Sequence, residues 1–372
     1  MLPTMDDFDF TGKSVIVRVD INSPLEPDTL RIMDNWRIKK IIPTLKELKE
    51  KNARVIVLAH QGRPGKWDFT SLEQHAEEIS KLMGEEIKYV DDVYGEKAIN
   101  KIEKLEKGEI LLLDNVRKCS EEMEKKSAEE HARAEMIQKL AKYGDAFVND
   151  AFAAAHRKHC SLLGFIPVLP SFAGRLMQKE VEMVEKLLEE AERPRLFIFG
   201  GGKYENAIDV IEKLLKDGKA DKIMLGGMPA NAFLAAEGKY EMEVDERVKR
   251  ILDKYREKLV LPVGTIDGKD IDEESIEIFK DEISNAASIF ISGPMGVFEE
   301  EKYSRGTKEV LKAIASSKAF SMAGGGHTAA AINKLGLEEK FNYVSTGGGS
   351  LERMLMGERL PVIEALIKFK RN

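Results

Sequence analysis

Short runs of β-branched and aliphatic residues alternate with amphipathic stretches along nearly the whole chain. Four apolar runs in the first half have the length and composition of buried strands, at residues 15–19, 54–58, 110–113 and 146–150. The second half contains five more, at residues 196–199, 223–225, 259–262, 288–292 and 319–322. The pattern therefore predicts two sets of strands.

Helical periodicity fills the segments between these strands. The first half predicts helices at 36–51, 72–83 and 128–143, and Pro43 should kink or divide the first of them. The second half predicts helices at 207–216, 245–258, 274–284, 307–316 and 328–335. Strands that alternate with helices need crossover connections, so the predicted fold class is α/β with parallel, helix-covered sheets.

A stretch without a predicted strand separates the two halves. Pro167, Pro170 and Gly174 punctuate its start, and residues 176–192 follow as one long charged helix. We therefore expect a first domain at 1–170, an interdomain helix at 171–193 and a second domain at 194–359, with a cleft between the domains. The final segment, 360–372, is predicted to be helical and to join the first domain.

Composition narrows the class of protein. The 372 residues carry a formal charge of −7 without a Lys/Arg run, which argues against nucleic-acid binding by bulk electrostatics. The acidic start MLPTMDDFDF lacks the basic region of a signal peptide, and no apolar run approaches the ~20 residues of a membrane span. Cys119 and Cys160 lack CxxC spacing, which favours free thiols. We expect a cytoplasmic protein with small-molecule partners, no nucleic acid and no membrane.

Polar side chains follow the predicted strands of the first half, where open α/β sheets bind ligands. Guanidinium groups bind phosphate and carboxylate in bidentate fashion, so four arginines at such positions suit a small polyanion. A single surface arginine would carry no such meaning, and a single histidine would more often be structural. The candidates are Asp20, Asn22, Arg37, His60, Gln61, Gly62, Arg63, Asp114, Asn115, Arg117, His156, Arg157 and His159.

Glycine runs follow the predicted strands of the second half. A glycine run before a helix lets backbone N–H groups approach phosphate oxygens at the positive end of the helix dipole. One run could serve a turn alone, but five indicate a phosphate-binding face. The runs are Gly200–Gly202 before Lys203, Gly226–Gly227, Gly293–Gly296 with Pro294, Gly324–Gly326 and Gly347–Gly349.

Two familiar nucleotide motifs are absent from the sequence, the P-loop GxxxxGK[ST] and a GxGxxG after the first strand. A cationic cleft in one domain and a glycine-rich face in the other suit phosphoryl transfer between a small acid and a nucleotide. Domain closure would bring the two together.

The chain resembles the phosphoglycerate kinases over essentially its full length. The strings that carry the resemblance include VRVDINSP, NWRIKKIIPTL, AHQGRP, LLLDNVR, GDAFVNDAFAAAHRKH, FIFGGGK, SGPMGVFE, GGGHTAAA and YVSTGGGSLE. The resemblance implies two Rossmann-like domains joined by a helix. It also implies reversible phosphoryl transfer from 1,3-bisphosphoglycerate to ADP, giving 3-phosphoglycerate and ATP, with Mg²⁺ as the cofactor.

The resemblance also assigns site residues. Substrate contacts would fall on Asp20, Ile21, Asn22, Arg37, His60, Gln61, Gly62, Arg63, Arg117 and Arg157. Nucleotide contacts would fall on Gly201, Gly202, Lys203, Gly226, Gly227, Pro294, Glu299, Gly324, Gly325, Gly326, His327 and Thr328. Further backbone donors would be Gly347, Gly348 and Gly349. Arg37 and Lys203 are the expected catalytic residues, because catalysis reduces to in-line positioning and charge neutralisation.

Several positions depart from the commonest family pattern. His327 replaces an aspartate that helps to hold Mg²⁺, and imidazole is a poor ligand for this hard cation, so nucleotide oxygens and water should hold the ion. Ala207 replaces a second lysine. Similar changes are typical of the archaeal branch of the family.

Two other functions stay open on the sequence alone. His327 and Ala207 would also suit a nucleotide-binding relative without kinase activity. The α/β alternation would suit an NAD-dependent dehydrogenase, although the fingerprint is missing. The oligomeric state, the dominant reaction direction and the base specificity do not follow from the sequence.

Overall fold

The computed structural model describes residues 1–371 (residue 206 in its backbone only), which form two compact units. Unit 1 contains Met1–Val181 together with the carboxy-terminal segment from Arg359, and unit 2 contains Glu182–Glu358. Among these residues, no helix is both long enough and apolar enough to cross a bilayer.

Unit 1 is built on a parallel six-stranded sheet with the order β3-β4-β2-β1-β5-β6. Its strands are β1 (Ser14–Val19), β2 (Arg54–Leu58), β3 (Lys88–Tyr89), β4 (Ile110–Leu112), β5 (Ala146–Asp150) and β6 (Ser171–Ala173). The core holds apolar side chains of β1, β2 and β5, which pack against the first two helices. The four predicted strands are therefore confirmed, whereas the edge strands β3 and β6 were not expected.

Helices cover this sheet. They are α1 (Trp36–Glu50), α2 (Glu73–Met83), α3 (Glu96–Glu103), α4 (Ala128–His131), α5 (Glu135–Leu140), α6 (Cys160–Leu163) and α7 (Arg175–Glu185), and the chain returns at its end as α15 (Pro361–Lys368). Of the two outcomes predicted for Pro43, a kink or a division of the first helix, division is wrong, because α1 continues through it. The missing hydrogen bond costs roughly 3 kcal/mol. Burial of Ile38, Ile41, Leu45 and Leu48 offsets it at roughly 1.5–3 kcal/mol each.

The single helix predicted at 128–143 is also wrong. Ser127 starts α4 with a capping box to Glu130, and the extended backbone of Ala134 (ψ 145°) separates α4 from α5. A 3₁₀ turn then ends the segment at Tyr143. His131 is buried in the first piece, and its Nε2 lies 3.0 Å from the carbonyl oxygen of Lys158. The amphipathic period survives these breaks, which is why the sequence suggested one helix.

Unit 2 repeats the architecture with the strand order β14-β13-β12-β7-β8-β9, again all parallel. Its strands are β7 (Arg195–Phe199), β8 (Lys222–Leu225), β9 (Leu259–Val260), β12 (Ser288–Ser292), β13 (Phe320–Gly324) and β14 (Tyr343–Val344), and a separate hairpin contains β10 (Thr265–Ile266) and β11 (Asp270–Ile271). Its helices are α8 (Glu205–Lys216), α9 (Gly227–Ala236), α10 (Glu246–Tyr255), α11 (Glu273–Asn285), α12 (Arg305–Ser316), α13 (Gly326–Lys334) and α14 (Gly349–Leu355). The five predicted strands are present within two residues at each end.

The direction in which strands are added reverses once in each sheet, and ligands of open α/β sheets bind at the carboxyl end of such a reversal. In unit 1 the reversal separates β1 from β5, and in unit 2 it separates β7 from β12. The topology therefore predicts that ligands bind next to the residues that follow these four strands.

The chain passes from unit 1 to unit 2 along α7, which continues into a π-helical turn at Lys186–Glu190. The predicted helix 176–192 is thus interrupted near its end, and residues 171–173 form a strand. Asp150 Oδ1 accepts the amide of Met177 in the first turn of α7 (3.0 Å). At the other end the guanidinium of Arg195 donates to the carbonyl groups of Leu188 and Ala191. A carboxylate at the amino end and a cation at the carboxyl end both complement the helix dipole.

Candidate active site

Four of the predicted substrate residues follow four strands of the first sheet. Asp20 follows β1, His60 follows β2, Arg117 lies in a 3₁₀ turn after β4, and Arg157 follows β5. Because these strands are parallel, their carboxyl ends lie at one edge of the sheet. The fold of unit 1 therefore brings these side chains together.

Asp20 is the acidic member of this group. Arg37, in the first turn of α1, places Nη1 3.3 Å from Asp20 Oδ2. Burial alone would raise the pKa of Asp20, but the positive charges of Arg37 and Arg18 outweigh burial and hold it well below its usual range. Asp20 is therefore an ionised carboxylate that holds Arg37 at the sheet edge.

The arginines are close enough to disfavour one another's charge. Burial, together with the charges of Arg157 and Arg18, lowers the pKa of Arg117 to about 10. Burial also lowers the pKa of Arg157, and the charges of Arg63 and Arg37 act in the same direction. The Nε of Arg117 is buried without a hydrogen-bond partner among the described residues. Such a cluster of cations favours an anionic ligand.

The other predicted substrate residues differ in their exposure and in the groups that they present to a ligand. Asn22 and Gly62 are joined by a hydrogen bond from the Gly62 amide to Asn22 Oδ1 (2.8 Å), and Arg63 is exposed. Gln61 is buried and bonds to both backbone groups of Ser23, so it shapes the loop. The side chain of Ile21 lies in the core, which leaves only its backbone for a ligand.

Sequence reasoning missed a buried pair beneath this cluster. Arg18 lies within β1 and is 1% exposed, and Glu122 is also fully buried. Ser161 connects them: its hydroxyl lies 2.8 Å from Arg18 Nε and 2.8 Å from Glu122 Oε1. A charged residue at a buried position of an apolar strand was the signal in the sequence.

Unit 2 contains a cavity of about 650 Å³ at the carboxyl ends of its strands. Most of the predicted nucleotide residues line it: Gly201, Gly202, Lys203, Gly227, Pro294, Glu299, Gly325, Gly326, His327, Thr328, Gly347 and Gly348. Gly226, Gly324 and Gly349 were predicted with them but are not among the lining residues. Cavities of this size take cofactor-sized ligands.

The glycines outside the lining have packing roles. A Cβ on Gly226 would approach Met295 Sδ to 2.6 Å, and a Cβ on Gly324 would approach Leu351 Cδ2 to 2.3 Å. Gly349 is the first residue of α14. The glycine runs therefore combine ligand-facing backbone with close packing beneath it.

Two of these loops cross at the point where strand addition reverses. The amide of Gly200 donates to the carbonyl of Ser292 (2.9 Å), and the amide of Gly201 donates to the carbonyl of Pro294 (2.7 Å). Gly293 has φ +93°, and a Cβ there would come within 2.2 Å of the Gly200 carbonyl oxygen. Only glycine fits this crossing, which fixes the floor of the cavity.

The amino end of α13 forms another wall. Gly325 precedes the helix with φ +87°, and Gly326, the first residue of the helix, has open space where a Cβ would stand. Thr328 Oγ1 accepts the amide of Gly293 (2.7 Å), which ties α13 to the crossing. Free N–H groups of a helix end therefore border the cavity.

Polar side chains at the rim include two that bear on metal binding. The His327 ring is 80% exposed, and its Nδ1 lies 3.4 Å from Glu299 Oε1. Glu352, which sequence reasoning missed, also lines the cavity, and burial raises its pKa. Within residues 1–371, no group of three or more His, Cys, Asp or Glu side chains could hold a metal ion. The apolar part of the lining includes Phe290, Leu351 and Leu355.

Comparisons with known proteins agree with these features. The model of the family described as "Phosphoglycerate kinase" matches residues 5–267 and 264–358. The phosphoglycerate kinases of Methanothermus fervidus and Methanothermobacter thermautotrophicus are 43% and 42% identical to the chain, covering 99% and 98% of it and 98% and 96% of their own lengths.

Solved structures point the same way. The crystal structure of phosphoglycerate kinase from Pyrococcus horikoshii OT3 matches with a TM-score of 0.92 at 34% identity, and that from Coxiella burnetii with 0.83 at 30%. Both alignments cover 100% of each chain. The resemblance noted in the sequence is confirmed over the whole chain, and the chain belongs to the phosphoglycerate kinase family.

Proposed function

We propose that this chain transfers a phosphoryl group reversibly between 1,3-bisphosphoglycerate and ADP, giving 3-phosphoglycerate and ATP. The observation that carries the proposal is the cation cluster at the carboxyl edge of the first sheet. Five guanidinium groups gather here, those of Arg18, Arg37, Arg63, Arg117 and Arg157, and the carboxylates that raise the pKa values of the buried arginines are those of Asp20 and Glu122. The surplus suits a ligand that carries a phosphate and a carboxylate.

Each group in unit 1 has a role that follows from its chemistry. Arg117 and Arg157 are largely buried, so they would bind phosphate oxygens in a medium where charge pairs are strong. Asn22 and the Gly62 loop would hold the body of the substrate. Arg37, steered by Asp20, would face the acyl phosphate and act as a catalytic residue.

The cavity of unit 2 would hold the nucleotide. Backbone amides at Gly325–Thr328 and the glycine crossing would bind the phosphates, and Glu299 would accept a ribose hydroxyl. Gly347 and Gly348 would supply further donors. Lys203 is exposed directly after a glycine run, where it could follow the migrating phosphoryl group.

The donor set fits a Mg²⁺ ion that is held mainly by nucleotide phosphates. Mg²⁺ commonly binds one or two carboxylates plus phosphate oxygens. With Glu299 assigned to the ribose, Glu352 is the lining carboxylate that is left for the ion. Bound there, it would neutralise phosphate charge. His327 offers nitrogen, so we assign it no ligand role.

Catalysis by this chain needs no covalent intermediate. The acyl phosphate is already activated, and the terminal phosphate oxygen of ADP is a competent nucleophile. The residues therefore act by in-line positioning, by neutralising the transferring group and by excluding water that would hydrolyse the acyl phosphate. The hinge closure expected from the sequence stays a prediction.

A coupled assay tests the proposal. Purified protein with Mg²⁺, ADP and 1,3-bisphosphoglycerate should form ATP, and a flat trace beside calorimetric ADP binding would favour the non-kinase alternative. Arg37→Ala should lower kcat by about 100-fold or more while the Kd for ADP changes less than twofold. Arg54→Ala is the matched control, because Arg54 begins β2 at the opposite edge of the same sheet. Equal losses in the two variants would refute the role of Arg37.

A further inference from the structure

Arg18 is a buried cation at the centre of the first sheet, on a strand whose other buried side chains are apolar. Each of its guanidinium nitrogens has a partner: Nε donates to Ser161 Oγ (2.8 Å), Nη2 to His60 Nδ1 (3.0 Å) and Nη1 to the Val19 carbonyl. A buried charge with this many specific partners is held in one orientation.

Glu122 binds Ser161, the residue that accepts the hydrogen bond from Arg18 Nε. Its carboxylate accepts both the amide and the hydroxyl of Ser161, each at 2.8 Å. The single hydroxyl proton of Ser161 therefore points to Glu122, and its oxygen is left to accept from Arg18. Glu122, Ser161, Arg18 and His60 are thus joined by successive hydrogen bonds, in which Arg18 is the donor to both Ser161 and His60.

The hydrogen bond with Arg18 determines which nitrogen of His60 carries the proton. A guanidinium can only donate, so Nδ1 of His60 must present its lone pair to Arg18. Burial lowers the pKa of His60 well below its ordinary value, and the charges of Arg18 and Arg117 act with burial, although Asp20 opposes them. The ring is therefore neutral, and its one proton is on Nε2.

The hydrogen bond with Arg18 occupies Nδ1 of His60, so the Nε2–H is the remaining donor of the ring. His60 follows β2, at the carboxyl ends of the parallel strands where ligands of open α/β sheets bind. The natural partner of this donor is therefore an oxygen of a bound ligand.

We infer that Arg18 is a positioning residue, which holds His60 as the neutral Nε2–H tautomer so that this N–H donates to an oxygen of bound phosphoglycerate. The inference rests on the proposed function for the identity of the ligand. Arg18 acts through His60 in this arrangement, since each of its three guanidinium nitrogens already has a partner within the protein.

Nitrogen NMR of the wild-type protein labelled with ¹⁵N-histidine tests the tautomer without any turnover. His60 should show a bare Nδ1 and a protonated Nε2 between pH 6 and 8, and His60→Gln identifies its signals by their loss. A protonated Nδ1 or an imidazolium would overturn the inference, even in an enzyme that forms ATP normally. Absence of kinase activity beside the expected spectrum would instead defeat only the proposed function.

Arg18→Met tests the link between the two residues. The His60 signals should move toward a mixture of tautomers, and the KM for phosphoglycerate should rise about tenfold while the KM for ATP changes less than twofold. Arg195→Met is the matched control, a buried arginine at the start of a parallel strand in unit 2 that does not contact His60. An unchanged tautomer in Arg18→Met, or an equal rise in the control, would overturn the inference.

Amide substitutions at His60 give a second test if Arg18→Met does not fold. Glutamine places an N–H donor near the position of Nε2, whereas asparagine mimics only the Nδ1 side of the ring. We expect His60→Gln to raise the KM for phosphoglycerate only a few-fold and His60→Asn to raise it more than tenfold. The reverse order would show that Nδ1 is the functional atom and would overturn the inference.

Discussion

Asp150 should give unit 1 a measurable dependence of stability on pH. It is the last residue of β5, fully buried, and its Oδ1 accepts the Met177 amide at the start of α7. Its Oδ2 has no hydrogen-bond partner among the described residues. Burial raises its pKa from 3.8 to about 6, since the backbone donors only partly compensate the carboxylate for lost water.

The magnitude follows from the two pKa values. Below about pH 4 the carboxyl is protonated in both states, and this contribution to the free energy of unfolding is fully present. Between about pH 4 and 6 the unfolded chain has released the proton that the folded chain still holds, so stability falls as pH rises. At 1.36 kcal/mol per unit, a shift of about 2.2 units amounts to about 3 kcal/mol, lost above pH 6.

Asp150→Asn removes this titration while keeping an oxygen for the Met177 amide. Trp36 and Trp67 are the two tryptophans of the chain and both lie in unit 1, so urea unfolding followed by tryptophan fluorescence reports on this unit. The stability of the wild type minus that of Asp150→Asn should fall by about 3 kcal/mol between pH 4 and 7. Groups shared by the two proteins cancel in this difference. Parallel pH profiles would refute the reasoning.

Three further changes have distinct expected results. Gly325→Ala should lower the free energy of unfolding by about 1–3 kcal/mol, because Gly325 has a φ of +87°. Gly326→Ala should not lower it, because a Cβ at Gly326 would stand in open space. Equal urea midpoints for the two variants would contradict this reasoning. His327→Asp should lower the Mg²⁺ concentration needed for half-maximal rate, because it adds a hard oxygen ligand beside Glu299; an unchanged Mg²⁺ titration would show that this position does not face the ion. Arg175→Met should lower the free energy of unfolding by about 1 kcal/mol, because it removes the ion pairs of Arg175 with Asp6 and Glu47. The loss should be smaller in 1 M NaCl, and a loss that is independent of salt would argue against an electrostatic origin.

The fold followed from the sequence wherever a strand was long enough to show its pattern. The nine predicted strands are runs of three to five mostly apolar residues that the two sheets bury. Lys88–Tyr89, Ser171–Ala173 and Tyr343–Val344 are edge strands of two or three residues, too short for any periodicity. Helix α9 begins at Gly227, inside a predicted glycine loop, at a position where a Cβ would come within 2.7 Å of the Gly201 carbonyl oxygen.

The candidate site could be predicted for those residues that the order of the strands alone brings close together. Asp20, His60 and Arg157 each follow a parallel strand, so their meeting needed only the strand order. Arg18 could not be assigned in this way, because its partners Ser161 and Glu122 are more than 100 residues distant in the chain. Which buried charge is paired depends on side-chain packing that a single sequence does not reveal.

Under the proposed function the two units would bind anions by different physical means, and the difference has consequences for stability. In unit 1 the positive charge comes from side chains that lower one another's pKa, so the ligand-free site opposes folding and a bound anion relieves it. In unit 2 the donors are backbone amides fixed by the crossing of Gly200 and Gly293, which cost nothing further when the ligand is absent. Relief of this repulsion would be part of the binding free energy of phosphoglycerate and would lower its Kd, whereas the Kd of the nucleotide would contain no such contribution.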